Sequence, residues 1–460
     1  MTQDSTFNWE NAKNIAEQVV FTNTGMHLTD IDIEVLQGAW QGLTYEQMAE
    51  RMSQRPDNKK FYSIDYLRGD VGYKLFGQKL SQALGETVSK TNFKTALERA
   101  WQKRRADKPI QPLPRDDGEP SRLTYPEGLV PLKSKFYMER DRVESICYRE
   151  VTKPGALIRI KAPNLMGKTS LVLRALDHCQ SQNYRTVYLD FDSTGGQIIQ
   201  DLDKLLRWFC WMASREIAVE NRLVDYWDTE ILGSNDNCTV YFEEHILPGI
   251  STPLVIGLDD VDRLFPYPEV VGDFFGMLRN WHERGKISKT WKDLRIVMAH
   301  STECYIPLDL NQSPFNAGIP ISLEEFDEKQ VTNLVKIHNL HWDTDQIRSL
   351  MQLIGGHPFL TRLALYKVSI GSLTLKQLLL TAASEAGIYS NHLRRTLEAL
   401  QKVPKLVEAY SQVIKSAKPV ELDSMQIYKL RSMGLIHRHN NQVIPSCQLY
   451  RTYFSRVLTH

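Results

Sequence analysis

The sequence has 460 residues, of which 42% are hydrophobic and 24% are charged, and its formal net charge is +1. At ~100–200 residues per domain this length predicts about two to four domains, and the composition is ordinary for a globular protein. The nearly neutral charge excludes any argument, from the chain as a whole, for a nucleic-acid or membrane-surface partner.

Six scattered cysteines, without a C-x-x-C pair, predict reduced and buried thiols and argue against zinc ligands or disulfides. The N-terminus lacks the basic stretch and apolar run of a signal peptide. No apolar stretch reaches the length of about 18 residues that spans a bilayer. We therefore expect a cytoplasmic protein without a membrane partner.

Residues 1–103 predict a helical domain, because apolar residues recur at helical spacing, as at Ile31, Val35 and Trp40. Residues 104–127 have the composition of an extended linker, with many charges and few apolar residues. The prolines of residues 104–127 are Pro109, Pro112, Pro114, Pro120 and Pro126.

Residues 128–323 alternate short β-rich runs with helical stretches, which predicts a parallel sheet covered by helices on both faces, an α/β fold. The predicted strands are 156–161, 185–191, 254–258, 294–299 and 319–323. After residue 324 the sequence predicts helices as far as about Met433. Two short strands joined by an Asn440-Asn441 turn follow.

A phosphate-binding motif directly follows the first predicted strand and opens a helix at Ser170. It matches the Walker A pattern G-x-x-x-x-G-K-[ST], except that alanine replaces the first glycine. The matching run is Ala162-Pro163-Asn164-Leu165-Met166-Gly167-Lys168-Thr169, and we expect these residues and the following Ser170 to bind the nucleotide.

The chemistry of nucleotide binding explains these residue types. Backbone N–H groups at a helix N-terminus attract phosphate, and Gly167 allows a close approach of the backbone. Lys168 would reach the β- and γ-phosphates, and the Thr169 hydroxyl would ligate Mg²⁺. The alternative is a chance G-K-T at a strand-to-helix turn. The alanine at position 162, where the pattern has glycine, strengthens this alternative.

The third predicted strand ends in Asp259-Asp260, as in a Walker B motif. Asp259 would hold Mg²⁺ directly or through water. Asp260 occupies the place where many ATPases carry the glutamate that orients the attacking water, although its side chain is one methylene shorter. Solvated acids at a strand end are the alternative. The two motifs together predict a site for ATP or GTP with Lys168, Asp259 and Asp260 as catalytic candidates.

Polar residues after the fourth predicted strand could lie between the two Walker strands and sense the γ-phosphate. The candidates are Ser301 and Thr302, with a plain turn or N-cap role as the alternative. Arg263 and Arg279 are candidate arginine fingers, and surface salt bridges are the simpler interpretation of both.

These motifs, together with 136–140 and Gly355-Gly356-His357-Pro358, resemble the AAA-like domain proteins abundant in cyanobacteria. Such proteins are similar to STAND signalling ATPases and to origin-recognition-like ATPases. The resemblance covers about residues 127–460.

The resemblance implies a P-loop core at 128–323, a helical lid at 324–402 and a C-terminal winged helix at 403–460. It implies that Arg140 belongs to an element leading into the adenine pocket and that Pro358 approaches the base or ribose. In related switch ATPases a winged-helix histidine contacts the β-phosphate of ADP. His437 and His439 are candidates, but no motif aligns either of them.

The N-terminal block resembles the helix-turn-helix domain that begins cyanobacterial proteins of this type, as in vWA-MoxR-associated proteins. Residues 42–52 would form the first helix and residues 63–68 would begin the second, with an insertion at 53–61. DNA contact by this block is an open alternative to protein docking, because residues 1–110 carry 15 Lys and Arg against 14 Asp and Glu.

The C-terminal block is more basic, since residues 401–460 hold 9 Lys and Arg against 3 Asp and Glu. That surplus could neutralise DNA phosphates or could face the ATPase core. The predicted function is a slow Mg²⁺-dependent switch ATPase that responds to ATP and ADP. We expect it to have a protein partner or to self-assemble, and to act in a regulatory or conflict system. The alternatives are a DNA-binding transcription regulator with structural nucleotide and a scaffold that binds nucleotide poorly.

Overall fold

The computed structural model describes residues 9–24, 28–53, 62–106, 123–301 and 317–458. The chain divides into two compact units, one within residues 1–111 and the other within residues 112–460.

The smaller unit is built from helices, as the sequence predicts. Its apolar residues, among them Leu36, Leu67 and Phe93, form one buried core. Thr29 begins the second helix with a capping box, in which its hydroxyl accepts from the Asp32 N–H and the Asp32 carboxylate accepts from the Thr29 N–H. The helices are α1 (Trp9–Thr24), α2 (Asp30–Trp40), α3 (Tyr45–Ser53), a π-type segment (Tyr66–Leu80), α4 (Ser81–Leu84) and α5 (Phe93–Ala106).

The larger unit contains a five-stranded sheet in which every pair of neighbouring strands is parallel, in the order β2-β3-β4-β1-β5. The strands are β1 (Leu157–Lys161), β2 (Arg185–Asp190), β3 (Leu254–Asp259), β4 (Leu294–His300) and β5 (Ile319–Ser322). The α/β fold class is thereby confirmed. Strand β4 lies between β1 and β3, so the two strands that carry the Walker motifs are not neighbours.

Helices cover both faces of the sheet, and each face has its own apolar core. Gly257 on β3 allows α7 to approach closely, because a Cβ at this position would lie 2.9 Å from Leu176 Cδ1. The helices of this region are α6 (Val143–Val151), α7 (Lys168–Ser181), α8 (Gly196–Ile199), α9 (Leu202–Glu216), α10 (Leu223–Tyr226), α11 (Ser234–Tyr241), a π-type turn (Phe242–Ile246), a 3₁₀ turn (Val261–Leu264), α12 (Pro268–Arg284) and a second 3₁₀ turn (Trp291–Asp293).

The remainder of the larger unit is helical apart from one hairpin. Its helices are α13 (Glu328–Ile337), α14 (Thr344–Ile354), α15 (Pro358–Ser369), α16 (Leu375–Thr381), α17 (Ser390–Gln401), α18 (Pro404–Lys415), α19 (Ser424–Ser432) and α20 (Gln448–Val457). The hairpin, β6 (Ile436–His439) with β7 (Gln442–Pro445), turns at Asn440, whose φ is 58°. One apolar core runs from Phe326 to Phe454, so α13–α17 share their interior with α18–α20.

Five cysteines of the described ranges are buried and take part in no disulfide, namely Cys147, Cys179, Cys210, Cys238 and Cys447. Cys304 lies outside the described residues. None of the helices described combines the length and the apolar character that a membrane crossing requires.

Candidate functional site

The Walker A segment forms a loop between β1 and α7. Ala162 is buried at the end of β1, and Leu165 and Gly167 take positive φ values of 63° and 99°. Gly167 precedes the first residue of α7, so the loop ends at the helix N-terminus. Free backbone N–H groups at such an end are a general site for anions.

Lys168 is buried at the start of α7, and its Nζ donates to the carbonyl oxygen of Pro163 at 3.2 Å. Burial lowers the pKa of Lys168, while the carboxylates of Asp262, Asp260 and Asp259 act in the opposite direction. The ammonium therefore lies in a negative environment and bonds to its own loop.

Asp259 ends β3 with a fully buried carboxylate. Its Oδ2 accepts from the Tyr188 hydroxyl at 2.9 Å, its Oδ1 accepts from the Asp260 N–H at 3.0 Å, and Thr169 also donates to it. Burial raises the pKa of Asp259 in spite of these bonds. The structure thus brings together Thr169 and Asp259, the two predicted metal ligands, from α7 and β3.

Asp260 follows in a left-handed conformation with φ of 49°. Burial, together with the neighbouring Asp259, raises the pKa of Asp260 to about 6. A third carboxylate, Asp262, accepts from both the N–H and the hydroxyl of Ser301 at the end of β4. Ser301 follows β4, the strand between the two Walker strands, and Thr302 lies outside the described residues.

The donor set can be tested against Mg²⁺. No cluster of three His, Cys, Asp or Glu side chains within the described ranges could hold a metal ion by itself. Thr169 and Asp259 offer one hydroxyl and one carboxylate. That set fits Mg²⁺, which proteins commonly bind through one or two carboxylates together with the phosphates of a substrate.

A cavity of about 1070 Å³ opens on the other side of the Walker A loop. Its walls come from the loop at 165–167, from residues 123–138 and from Pro358 and Phe359 at the start of α15. Neither Lys168 nor Asp259 lines it. We call it the base cavity because it is lined by Arg140 and Pro358, which the family resemblance places near the adenine and the ribose.

Arg140 is buried between the Walker A loop and the connection that follows β5. Its guanidinium donates to the carbonyl oxygens of Met166 and Glu324, and its backbone N–H donates to Glu144 at 2.9 Å. Its guanidinium carbon lies 5.1 Å from the centre of the Phe326 ring. Arg140 lines the base cavity, with its guanidinium bonded to backbone carbonyls on two sides.

Ser170, a predicted cofactor-binding residue, also lines the cavity, and its hydroxyl accepts from the Val130 N–H at 3.0 Å. Arg174, one turn later on α7, donates to the carbonyl oxygens of Val130 and Pro131 and stacks on Tyr137 at 3.5 Å. The segment around residue 130 is thus bonded to the helix that begins at the Walker A loop.

The Walker A loop also contacts elements that follow the sheet. The imidazole of His357 lies within hydrogen-bonding reach of the Asn164 backbone. A Cβ on Gly434 would lie 3.1 Å from Cβ of Pro163. Pro163 and Asn164 therefore contact both the start of α15 and the residues that directly precede β6. His437 instead lies 3.5 Å from Glu325.

Several site residues carry no spacing signal in the sequence. Tyr188, Asp262 and Arg362 come from three separate elements and are recognised only once the fold is known. His357 stands inside the predicted Gly-x-Pro turn, where only Pro358 is singled out. Of the two candidate arginine fingers, Arg263 has its Nε 3.5 Å from Asp192, and Arg279 lies on α12.

The second helix of the predicted helix-turn-helix corresponds to Tyr66–Leu80 and carries cations that are largely paired. Lys74 lies 3.3 Å from Asp70, and Lys79 lies 2.5 Å from the buried Asp32. Arg68 is exposed. The positive charge that this helix presents is therefore small.

A family model described as an AAA-like domain matches residues 125–456. A second model, described as the N-terminal HTH of vWA-MoxR associated proteins, matches residues 7–100. No curated protein matches the chain.

Among solved structures, the chain is similar to the Walker-type ATPase PABY2304 of Pyrococcus abyssi, with 11% identity and a TM-score of 0.49 over 69% of this chain and 96% of that one. It is also similar to the Aeropyrum pernix ORC2 protein, with 11% identity and a TM-score of 0.43 over 72% and 95% of the two chains.

Proposed function

The chain belongs to the AAA-like domain family, and on this basis we propose that it binds ATP with Mg²⁺ and acts as a nucleotide-dependent switch of the STAND type. The observation that carries the proposal is the meeting of Lys168, Thr169 and Asp259 beside the N-terminus of α7. A buried ammonium, a hydroxyl and a buried carboxylate at a helix N-terminus are the groups that a Mg²⁺-bound triphosphate needs.

The phosphates would bind along 162–169 and exchange the Lys168 contact with Pro163 for contacts with the nucleotide. Thr169 and Asp259 would hold Mg²⁺, which neutralises charge on the phosphates. The base and ribose would enter the base cavity beside Pro358. This assignment joins the two sides of the loop into one nucleotide site.

Hydrolysis would depend on Asp260. Its carboxylate shares the negative environment around Lys168 and follows Asp259 directly. Its pKa of about 6 leaves the carboxylate largely ionised at neutral pH, but its short side chain weakens it as a group that orients water. Slow turnover is therefore the expected behaviour.

The switch would act through the contacts of Pro163 and Asn164 with Gly434 and His357. Phosphate binding rearranges this loop, and a ligand shifts a conformational equilibrium only through its different affinity for the two states. Because the loop contacts α15 and the approach to β6, both elements can respond to the nucleotide. The response would change a surface for a protein partner or for self-assembly.

A DNA-contacting role is the second candidate, and the observation that favours it is the HTH match at residues 7–100. The predominantly paired cations of Tyr66–Leu80 favour protein docking by that unit instead. A role in a regulatory or conflict system would then reside in the partner.

The deciding experiment measures Mg²⁺-dependent ATP hydrolysis and oligomer size in the full chain and in Lys168→Ala, with and without duplex DNA. We expect slow turnover or ATP-dependent assembly that Lys168→Ala abolishes. Stimulation by DNA would identify DNA as a partner. If wild type and variant are equally inert and neither binds ATP, the chain is a scaffold and the switch proposal fails.

A further inference from the structure

One short segment runs along the base cavity from one side to the other. Residues 123–131 are consecutive and all of them line the cavity. We call residues 123–132 the strap. Near its start the strap bonds to α15, and near its end it bonds to α7, the helix that begins at the Walker A loop. The strap is therefore one wall of the cavity, and it is held at both ends.

The end of the strap at α7 is held by several hydrogen bonds. The Val130 N–H donates to the Ser170 hydroxyl at 3.0 Å. Arg174 is buried, and its guanidinium donates to the carbonyl oxygens of Val130 and Pro131 at 3.0 and 2.7 Å. A longer bond of 3.3 Å reaches the carbonyl oxygen of Leu132. Because bonds from a charged donor are stronger than neutral ones, this end is firmly anchored.

The end of the strap at α15 is held more weakly. Among the described residues, one hydrogen bond joins the two, from Arg362 to the carbonyl oxygen of Thr124 at 3.2 Å. The Tyr125 and Tyr366 rings meet edge to face with centres 5.3 Å apart, and Lys367 Nζ lies 5.9 Å from the centre of the Tyr125 ring. Tyr125 is 49% exposed. Since this end has fewer hydrogen bonds and more contact with water, it should open first.

Between its two ends the strap contains a glycine in an unusual conformation. Gly128 has a φ of 121°, which glycine adopts readily and other residues rarely do. A Cβ at this position would lie 3.8 Å from Leu165 Cδ2, so the strap passes beside the Walker A loop here. Gly128 therefore provides a bending point between the firm end and the weak end.

We propose that the strap is a gate for the nucleotide, which swings away from α15 about Gly128 while its other end stays on α7. Swinging would displace the wall formed by residues 123–127 and give the base and ribose a way in and out. This inference rests on the proposed nucleotide site and adds the regulation of nucleotide exchange at that site. The end that opens is also the end that residues 107–122 join to α5 of the N-terminal unit.

A gate differs from an ordinary wall of a binding site in its effect on rates. A fastened gate slows entry and exit alike, so loosening it raises the association and dissociation rate constants together and leaves the affinity nearly unchanged. A wall that only supplies binding contacts would, when loosened, raise the dissociation rate constant alone.

The test measures both rate constants for the fluorescent nucleotide mant-ADP, with the full chain and Mg²⁺, by stopped-flow fluorescence. Tyr366→Ala removes the aromatic partner of Tyr125 without changing a residue that lines the cavity. We expect both rate constants to rise about fivefold, as for the loss of one aromatic pair, and Kd to change less than about twofold. Tyr366→Phe keeps the ring and is the matched control, which should behave as wild type.

Tyr125→Ala removes the same aromatic pair from the side of the strap. Because Tyr125 is half exposed, we expect this variant to fold, and it should raise both rate constants by a similar factor. The double variant with Tyr366→Ala should be no faster than either single variant, since the two changes remove one shared contact.

Unchanged rate constants in either of the two alanine variants, once folded, would overturn the gate while leaving the nucleotide site intact. A rise in the dissociation rate constant alone would overturn it as well, because the strap would then be an ordinary wall. If wild type bound neither mant-ADP nor ATP, both this inference and the proposed function would fail.

Discussion

The two sides of the Walker A loop differ in how their polar groups are satisfied. On the phosphate side, Lys168 bonds to Pro163, Asp259 to Tyr188 and Asp262 to Ser301. On the base side, a cavity of about 1070 Å³ is open, and Arg362 keeps a buried donor. In the proposed nucleotide site, the phosphate side would exchange protein contacts for ligand contacts, whereas the cavity on the base side is already formed.

This difference indicates that the affinity for the nucleotide and the conformational response to it can come from separate halves of one site. A preformed cavity binds without a rearrangement cost, and it therefore favours affinity. A loop whose groups bond to one another changes its contacts on binding, and it therefore favours a conformational response. Variants that act on one half only can separate the two contributions.

The largest expected effect separates the halves directly. Lys168→Ala should weaken ATP binding by at least about 100-fold, or about 3 kcal/mol, because the ammonium that faces the phosphates is lost. Adenosine, which has no phosphates, should bind the variant as it binds wild type, because Lys168 does not line the base cavity. Calorimetric titration with ATP and with adenosine measures both affinities.

Lys204→Ala, which removes an exposed lysine from α9, is the control for this change and should leave both affinities unaltered. A parallel loss of adenosine binding in Lys168→Ala would mean that the halves are not independent.

Arg140→Met should lower the free energy of unfolding by about 3 kcal/mol, because the carbonyl oxygens of Met166 and Glu324 lose a buried charged donor. Arg140 bonds to both the loop and the connection after β5, so its loss should weaken ATP and adenosine binding together. Chemical denaturation and the two titrations provide the measurement. Arg149→Met, at an exposed position on α6, should change stability by less than about 0.5 kcal/mol.

His338 makes the wall of the base cavity sensitive to acid. It is buried against Phe136, with ring centres 4.9 Å apart, and burial, assisted by Arg362 and Lys135, lowers the pKa of His338 to about 4. The unfolded chain takes up this proton near pH 6.5, whereas the folded chain does not, so stability is lost as the pH falls from about 6.5 to about 4.

At pH 5 this single histidine should account for about 2 kcal/mol of lost stability. His338→Leu should therefore show a smaller fall in unfolding free energy between pH 7 and pH 5 than wild type. Denaturation at both pH values measures the difference, and identical pH profiles would show that His338 is not buried in its neutral form.

The smallest expected effect concerns the phosphate side. Tyr188→Phe removes the hydroxyl that donates to Asp259 and should cost about 1 kcal/mol of stability without nucleotide. The affinity for Mg²⁺ and ATP should change less than about threefold, since Asp259 would be satisfied by the ligand in the bound state. A larger loss of affinity would mean that Tyr188 also orders the bound state.

Much of the fold follows from local sequence. Each of the five predicted strands of the sheet ends within one residue of its observed bounds, because apolar β-rich runs such as Leu254–Asp259 are fully buried in a parallel sheet. The predicted resemblances to AAA-like domain proteins and to an N-terminal HTH domain are confirmed by the family matches. The hairpin at 436–445 likewise follows from its turn residues.

The contacts of the site depend on the tertiary fold and carry no local signal. Tyr188 bonds to Asp259 from a neighbouring strand, and His357 meets Asn164 across nearly 200 positions of the chain. Residues 123–127 have a linker composition, yet Thr124 bonds to Arg362 and Tyr125 contacts Tyr366. The composition of residues 123–127 shows that burying them is unfavourable, but it does not show which part of the fold packs against them.

One continuous core from Phe326 to Phe454 joins the helices after the sheet into a single packed body. Under the proposed function, we expect this body to rotate as a unit about the short connection between β5 and α13. The same rotation moves a distant point farther than a near one. A small adjustment at Pro163 and Asn164 would therefore be magnified toward the far end of this body, and we expect a partner to read the nucleotide state there.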